Sequence, residues 1–169
     1  MSDNSLLERA GQSGALFEPS ENVLPQLREW QRRGLGATLA TLVGIEGSSP
    51  RSLGAQMAIG DGSAIGHISS GCLEGALIAE ARIAMRRHEN RLVRYGKGSK
   101  YLDIQLPCGS GLDIYFDQEP PRALIEGVCA ELEARRAAAL TIAPTGDLDA
   151  TRAKNDGVLR LARESGGFF

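Results

Sequence analysis

A cysteine lies where a short extended stretch gives way to a long helical pattern. Residues 66–75 read Gly-His-Ile-Ser-Ser-Gly-Cys-Leu-Glu-Gly, which places Cys72 directly after Gly71. A thiol at a helix start lies near unpaired backbone N–H groups and the positive end of the helix dipole. This setting favours the thiolate form and bound anions. Cys72 is therefore the first candidate for a reactive or ligand-binding group, and the alternative is a small buried residue that packs at the helix start.

Three glycine-rich segments follow or interrupt predicted strands, at residues 47–51, 69–72 and 108–111. Glycine lets the backbone approach a ligand closely, and serine hydroxyls with successive N–H groups form an anion cradle. Arg51 adds a guanidinium group that can hold a phosphate through two hydrogen bonds. Together the segments predict one polar pocket for a phosphorylated small molecule, and the alternative is three unrelated turns. The candidate ligand-binding residues are Ser48, Ser49, Arg51, Ser69, Ser70, Gly71, Cys72, Glu74, Cys108 and Gly109.

Two further residues near these segments have both a functional and a structural interpretation. Glu74 comes three residues after Gly71, the spacing at which a carboxylate caps a helix start, and a catalytic role is the alternative. Cys108 lies between a proline and a glycine, and we expect it to face the same pocket. Cys129 falls on the apolar side of a later helical pattern, so we expect it to pack in the core.

The predicted elements place the glycine-rich segments at strand ends. The patterns predict strands at 37–45, 54–59, 64–68, 92–95, 102–106, 112–116, 139–143 and 158–162, and helices from about 23 to 34, at 71–88 and at 123–138. The Asp61-Gly62 turn joins the second and third strands as a hairpin. This order is too irregular for a doubly wound sheet. The predicted fold class is α+β, with a mixed, largely antiparallel sheet, packed helices, and a short C-terminal appendage of helix and strand.

The chain divides into three predicted parts. Residues 1–19 form a loose tail with a short helix near residues 6–10, residues 20–120 form the main domain, and residues 121–169 form the appendage. The Pro120-Pro121 pair suggests the second boundary.

Composition excludes several classes of protein. The net charge of −2 provides no broad basic field for nucleic acid, and no apolar run approaches the length of a membrane span. The polar N-terminus lacks the pattern of a signal peptide, and three widely spaced cysteines favour a reduced, cytoplasmic setting. Rossmann, Walker, nucleophile-elbow and HExxH motifs are absent from the sequence, so an autonomous enzyme is poorly supported.

The order and spacing of residues 47–51, 54–57, 61–62 and 66–74 resemble the XdhC/CoxI family, in its N-terminal domain. The segment Cys-Gly-Ser-Gly at 108–111 resembles a downstream Cys-Gly-Gly element of that family, and the likeness covers roughly residues 20–120. Two serines depart from the family pattern. Ser70 replaces a glycine, so that Ser-Gly-Gly-Cys becomes Ser-Ser-Gly-Cys, and Ser110 replaces the second glycine of Cys-Gly-Gly. Because serine is also small, we expect altered loop geometry rather than lost binding.

The resemblance implies an accessory protein for molybdenum hydroxylases such as xanthine dehydrogenase and carbon monoxide dehydrogenase. It implies transient binding of molybdenum cofactor (molybdopterin), assistance with its sulfuration, and delivery to the apo-enzyme. These activities are typical of a cofactor-insertion chaperone more than of a turnover enzyme. Cys72 would bind molybdenum or carry sulfur. A cysteine desulfurase and a second copy of the chain are expected partners. Many members continue into a Rossmann-like domain, and residues 121–169 would then be a truncated link to it.

Two alternatives stay open. One is a sulfur-transfer enzyme that uses a persulfide on Cys72, since a thiolate at a helix start is a nucleophile. The other is a non-catalytic interaction domain in which Cys72 is buried and inert.

Overall fold

The computed structural model describes residues 16–18, 22–101, 106, 108–136, 138–143 and 158–162. The elements of this part of the chain are β1 (Leu16–Glu18), α1 (Leu24–Arg32), β2 (Ala37–Glu46), β3 (Gln56–Gly60), β4 (Ser63–Gly66), α2 (Glu74–Arg87), β5 (Arg91–Gly96), β6 (Gly111–Gln118), α3 (Arg122–Glu133), β7 (Ala139–Ala143) and β8 (Val158–Ala162).

Six strands form the main sheet in the order β1-β4-β3-β2-β6-β5. The pair β1 and β4 is parallel, and the other neighbouring pairs of this sheet are antiparallel. The strands β7 and β8 pair with each other in a separate antiparallel ribbon. The predicted α+β class with a mixed, largely antiparallel sheet is therefore confirmed.

Helices cover both faces of the sheet, because successive side chains of a strand point to opposite faces. In β2, Ala40 and Leu42 pack with the apolar stripe of α2, whereas Ala37 and Leu39 pack with α1 and α3. The predicted apolar face of α1 is confirmed, since Leu24, Leu27 and Trp30 are buried. Cys129 of α3 is also buried, in the same cluster as Leu27, as its position on the helix predicted.

The strand register brings several strand ends to one end of the sheet, which we call the loop end. Gly111, the first residue of β6, lies opposite Glu46, the last residue of β2. On its other side it lies opposite Gly96, the last residue of β5. At this end β4 also finishes and β3 begins. The segments 47–55, 67–73 and 97–101 therefore lie at the loop end, together with residues 108–110, which lead into β6, and the start of α2.

Several predicted boundaries differ from the observed ones. The helix predicted at 71–88 begins at Glu74, because Ser70 and Gly71 have φ values of 58° and 108°, which a right-handed helix does not allow. The helix predicted at 123–138 ends at Glu133, and Arg135 with φ 55° breaks it. No pattern predicts β1, since three residues are too short to show alternation. The helix predicted near residues 6–10 and most of the strand predicted at 102–106 lie outside the described residues.

The helix α3 follows the proposed boundary at residue 120 and packs against the main sheet. Ile125 and Val128 share an apolar cluster with Val23 of the α1 region and Leu39 of β2. The three-part division of the chain stays a prediction. Among the described residues, none of the helices is long and apolar enough to cross a membrane.

Asp117 places a carboxyl group inside the fold. It is 4% exposed, and its Oδ2 atom has no hydrogen-bond partner among the described residues. Burial disfavours the charged form and raises the pKa of Asp117 to about 7. Because the folded pKa lies above the unfolded one, the folded state loses stability as the pH rises from about 4 to about 7.

We expect Asp117→Asn to remove that loss. The variant should be more stable than the wild type at about pH 8, by at most about 4 kcal/mol, and the difference should shrink toward about pH 4. Urea unfolding at several pH values measures it. A difference between the two proteins that does not vary with pH would contradict the assignment.

Candidate functional site

The carboxylate of Glu74 binds the loop that precedes α2. Its Oε1 atom accepts hydrogen bonds from the amides of Ile68 at 3.1 Å and Ser69 at 2.9 Å. Its Oε2 atom accepts from the Ser69 hydroxyl at 2.7 Å and from the amides of Gly71 at 2.8 Å and Leu73 at 3.3 Å. The Leu73 amide also donates to the Ser69 hydroxyl at 2.7 Å. One internal anion thus satisfies most of the donors of this loop.

This arrangement agrees with the capping position expected for Glu74, and the cofactor-binding role expected for Glu74 stays a prediction. The amides of Ile68, Ser69, Gly71 and Leu73 already donate to this internal carboxylate. Cys72 itself is exposed and lies two residues before the first residue of α2. Its role toward a ligand stays a prediction, as do those of Ser69, Ser70 and Gly71.

The hydrogen bonds also set the charge state of Glu74. Burial raises the pKa of its carboxyl group, but the hydrogen bonds from the side chain and amide of Ser69 and from the Ile68 amide outweigh burial. The pKa of Glu74 therefore lies below its ordinary value, and the carboxylate stays ionised at neutral pH.

Ser110 joins the first and third glycine-rich segments. Its hydroxyl oxygen accepts a hydrogen bond from the Ser48 amide at 3.0 Å, and the two serine hydroxyl groups lie 3.4 Å apart. The side chain is buried, with 1% exposed. Gly47 has φ 89°, and a Cβ atom there would lie 3.0 Å from the Ser110 hydroxyl, so this approach requires glycine.

Cys108 is the second exposed thiol at the loop end. The hydroxyl and the amide of Ser110 donate hydrogen bonds to its sulfur, which lowers the pKa of the Cys108 thiol. The sequence pattern favours Cys72 over Cys108, and Ser110 stands out in it only as a departure from a glycine. The signal that could have found Ser110 is that departure itself, because serine adds a hydroxyl group where the family has none.

Arg51 and its neighbours border a polar cavity of about 370 Å³, lined by residues 50–56. The Ser49 hydroxyl accepts a hydrogen bond from the Arg51 amide at 3.3 Å and shapes this turn. A second cavity of about 500 Å³ shares Leu53, Gly54 and Gln56 with the first and is walled by apolar side chains of α1, β2 and α3.

An ion-pair network holds the strands from which these segments leave. Arg94 of β5 pairs with Asp113 of β6 at 3.1 Å and with Glu46 at the end of β2. Lys97 also pairs with Glu46, at 2.7 Å. Gly44 leaves room for the Asp113 carboxylate, which would collide with a Cβ atom there. The network fixes the ends of β2 and β5 beside the start of β6.

The described contacts form two groups among the candidate residues. Ser48 contacts Ser110, which in turn contacts Cys108, and Ser69 and Gly71 contact Glu74. The strand register places both groups at the loop end, and a single cleft that includes Cys72 and Ser48 stays a prediction. Among the described residues there is no group of three or more His, Cys, Asp or Glu that could hold a metal ion.

The fold is similar to that of a solved protein described as a xanthine dehydrogenase from Bacillus halodurans. The two structures match with a TM-score of 0.63 and 21% identity, over 86% of this chain and 45% of that one. At this identity the likeness shows the fold alone.

Sequence comparison is more specific. Residues 30–96 match the XdhC and CoxI family. The chain is also 40% identical over 112 residues to the molybdenum cofactor insertion chaperone PaoD of Escherichia coli strain K12, which covers 66% of this chain and 35% of that protein. Residues 30–96 belong to the XdhC and CoxI family, and the chain spans about a third of the length of this relative.

The hydrogen bonds that the Glu74 carboxylate accepts before α2 predict the effect of Glu74→Gln on stability. The variant should lose about 2–3 kcal/mol of unfolding free energy at neutral pH, because an amide replaces a buried charged acceptor and brings N–H groups toward other donors. Since the folded pKa of Glu74 is depressed, its contribution is present above the unfolded pKa and disappears as the pH falls through the folded pKa.

Urea unfolding as a function of pH measures both effects, with Glu29→Gln on the exposed face of α1 as the matched control. The difference between wild type and Glu74→Gln should shrink in acid, and the control should stay close to wild type throughout. Equal stability of Glu74→Gln and wild type at neutral pH would overturn the capping account.

Proposed function

We propose that this chain binds molybdenum cofactor transiently, assists its sulfuration, and delivers it to an apo molybdenum hydroxylase. The observation that carries the proposal is the 40% identity to a molybdenum cofactor insertion chaperone, over 112 residues of this chain. Hydroxyl, guanidinium and thiol groups at the loop end support the proposal, because such a ligand carries a phosphate and a sulfur-rich metal end.

Molybdenum cofactor combines a phosphate, a pterin and a sulfur-rich metal end, and the donor set at the loop end fits these parts. Ser48, Ser49 and Arg51 provide hydroxyl groups and a guanidinium group for the phosphate. Because Glu74 occupies the amides before α2, we assign the phosphate to the Ser48–Arg51 segment and its cavity rather than to the helix start.

Two thiols are available for the sulfur-rich end of the ligand. Cys72 is the proposed molybdenum ligand or sulfur carrier. Cys108 and Gly109 are the proposed ligand contacts from the third glycine-rich segment. Both cysteines are exposed. Exposure suits a carrier, since the receiving apo-enzyme must compete for the same ligand before release.

A sulfur-transfer enzyme is the second candidate, and the hydrogen bonds that stabilise a thiolate at Cys108 favour it. In that reaction a cysteine thiolate attacks the outer sulfur of a desulfurase persulfide, a new S–S bond forms, and the desulfurase thiolate leaves. The persulfide would form on Cys72 or Cys108. The third candidate, an interaction domain with an inert Cys72, required that residue to be buried, and Cys72 is exposed.

We expect the purified chain to bind isolated molybdenum cofactor saturably under anaerobic conditions. Cys72→Ala should weaken retention of molybdenum, and Arg51→Ala should weaken retention of the whole cofactor because the phosphate loses its cation. Arg86→Ala, on the exposed last turn of α2, is the matched charge control. Molybdenum content and pterin fluorescence of the protein peak after gel filtration measure binding.

The outcomes separate the candidates. Saturable binding that Arg86→Ala leaves intact supports the carrier function. Absence of binding by the wild type contradicts it. A gain of one sulfur atom on a cysteine after incubation with a cysteine desulfurase, without cofactor binding, would favour the sulfur-transfer enzyme instead.

A further inference from the structure

The cavity of about 500 Å³, which we call the apolar cavity, is bordered by the sheet and by the helices α1 and α3. Its walls include five large apolar side chains, those of Leu24, Val43, Val128, Leu132 and Leu140. None of the residues that line it carries a charge. Small-molecule sites in proteins have volumes of about 300–1,000 Å³ and mostly apolar walls. The apolar cavity therefore has the size and the lining of a site for an uncharged ring.

Two exposed leucines border the apolar cavity. Among the described residues, the large apolar side chains that stay exposed are Leu35, Leu53 and Leu132, at 46%, 61% and 39%. Leu53 and Leu132 both line the apolar cavity, and Leu35 does not. Exposed apolar surface that collects around one cavity is typical of a site where a ligand or a partner binds.

The apolar cavity adjoins the polar cavity of about 370 Å³. The residues that line both are Leu53, Gly54 and Gln56. The Gly54 amide donates a hydrogen bond to the Leu42 carbonyl oxygen at 2.8 Å, and the Leu42 amide donates to the Ala55 carbonyl oxygen at 2.9 Å. These bonds hold the shared segment on β2. A ligand with a charged end and an uncharged end can therefore occupy both cavities at once.

Two hydrogen-bonding side chains line the apolar cavity, those of Thr41 and Gln56. The Thr41 hydroxyl oxygen accepts a hydrogen bond from the Gln56 side-chain amide at 3.2 Å. That bond uses one N–H of the amide and one lone pair of the hydroxyl group, so each group has further hydrogen-bonding capacity. A purely apolar occupant would leave this capacity unused, which costs free energy in a buried site. The pair therefore favours an occupant with donors and acceptors along one edge.

We propose that the apolar cavity is the subsite for the pterin ring of the bound cofactor, with the phosphate in the adjoining polar cavity beside Arg51. Pterin is a flat, uncharged double ring whose edge carries an amide-like set of donors and acceptors. Its faces pack against the leucine and valine side chains, and its edge pairs with Thr41 and Gln56. This inference rests on the proposed function for the identity of the ligand and on the two cavities for its position.

Retention of molybdenum cofactor by leucine variants of the purified chain, under anaerobic conditions, tests the subsite. Leu132 lines the apolar cavity and not the polar one, so Leu132→Ala should weaken retention about three- to tenfold. Leu35→Ala is the matched control, since it removes a similarly exposed leucine away from the cavity. Because both side chains are exposed, both variants should fold, and urea unfolding checks that they do.

Binding of biopterin, which carries the pterin ring without a phosphate, separates the two cavities. The wild type should bind it saturably, as measured by the fluorescence anisotropy of the ring. Leu132→Ala should weaken this binding, as should Thr41→Val, which keeps the shape of the side chain and removes the hydroxyl group. Arg51→Ala should leave biopterin binding in place while it weakens retention of the whole cofactor. Guanosine monophosphate is the competitor that tests for a purine ring instead.

Each outcome decides between the two proposals. If the wild type retains cofactor and Leu132→Ala retains as much as Leu35→Ala, the subsite is wrong and the proposed function stands. Absence of biopterin binding by the wild type also overturns the subsite, as does tighter binding of guanosine monophosphate than of biopterin. If the wild type retains no cofactor but binds biopterin in a way that depends on Leu132, the proposed function fails and the ring site stands.

Discussion

The antiparallel register between β2 and β6 is the constraint on which the candidate site depends. It sets Glu46 opposite Gly111, so that the chain leaves β2 directly beside the chain that enters β6. A shift of one residue would turn every side chain of β2 to the other face of the sheet and would separate Ser48 from Ser110. The bulge between Leu42 and Gly44, and the Arg94–Asp113 ion pair beside it, hold this register where the strands end.

The internal carboxylate of Glu74 and the proposed ligand anion are assigned to different hydrogen-bond donors at the loop end. The backbone amides before α2 donate to Glu74 within the protein. The proposed function therefore assigns the ligand anion to the hydroxyl and guanidinium groups of the Ser48–Arg51 segment. Under that proposal, the hydrogen bonds around Glu74 would stay in place when the ligand is handed over.

The sequence predicted most of the fold, but not the contacts within the candidate site. Apolar patterns were sufficient for α1, β2 and α2, and the Asp61-Gly62 turn for the β3–β4 hairpin. Helix ends were less predictable, because Ser70 and Arg135 adopt left-handed conformations that serine and arginine seldom indicate. The partners of Glu74 and Ser110 depend on which loops the sheet brings together, and no local pattern carries that information.

The central claim is that the three glycine-rich segments form one site at the loop end of the sheet. The most direct test is to titrate ¹⁵N-labelled protein with isolated molybdenum cofactor under anaerobic conditions and to map the amide chemical-shift changes. The account predicts that residues 47–51, 69–72 and 108–110 shift together with one dissociation constant. Shifts confined to one of these segments, or centred on the opposite end of the sheet near residues 34–36, 61–62 and 119, would contradict it.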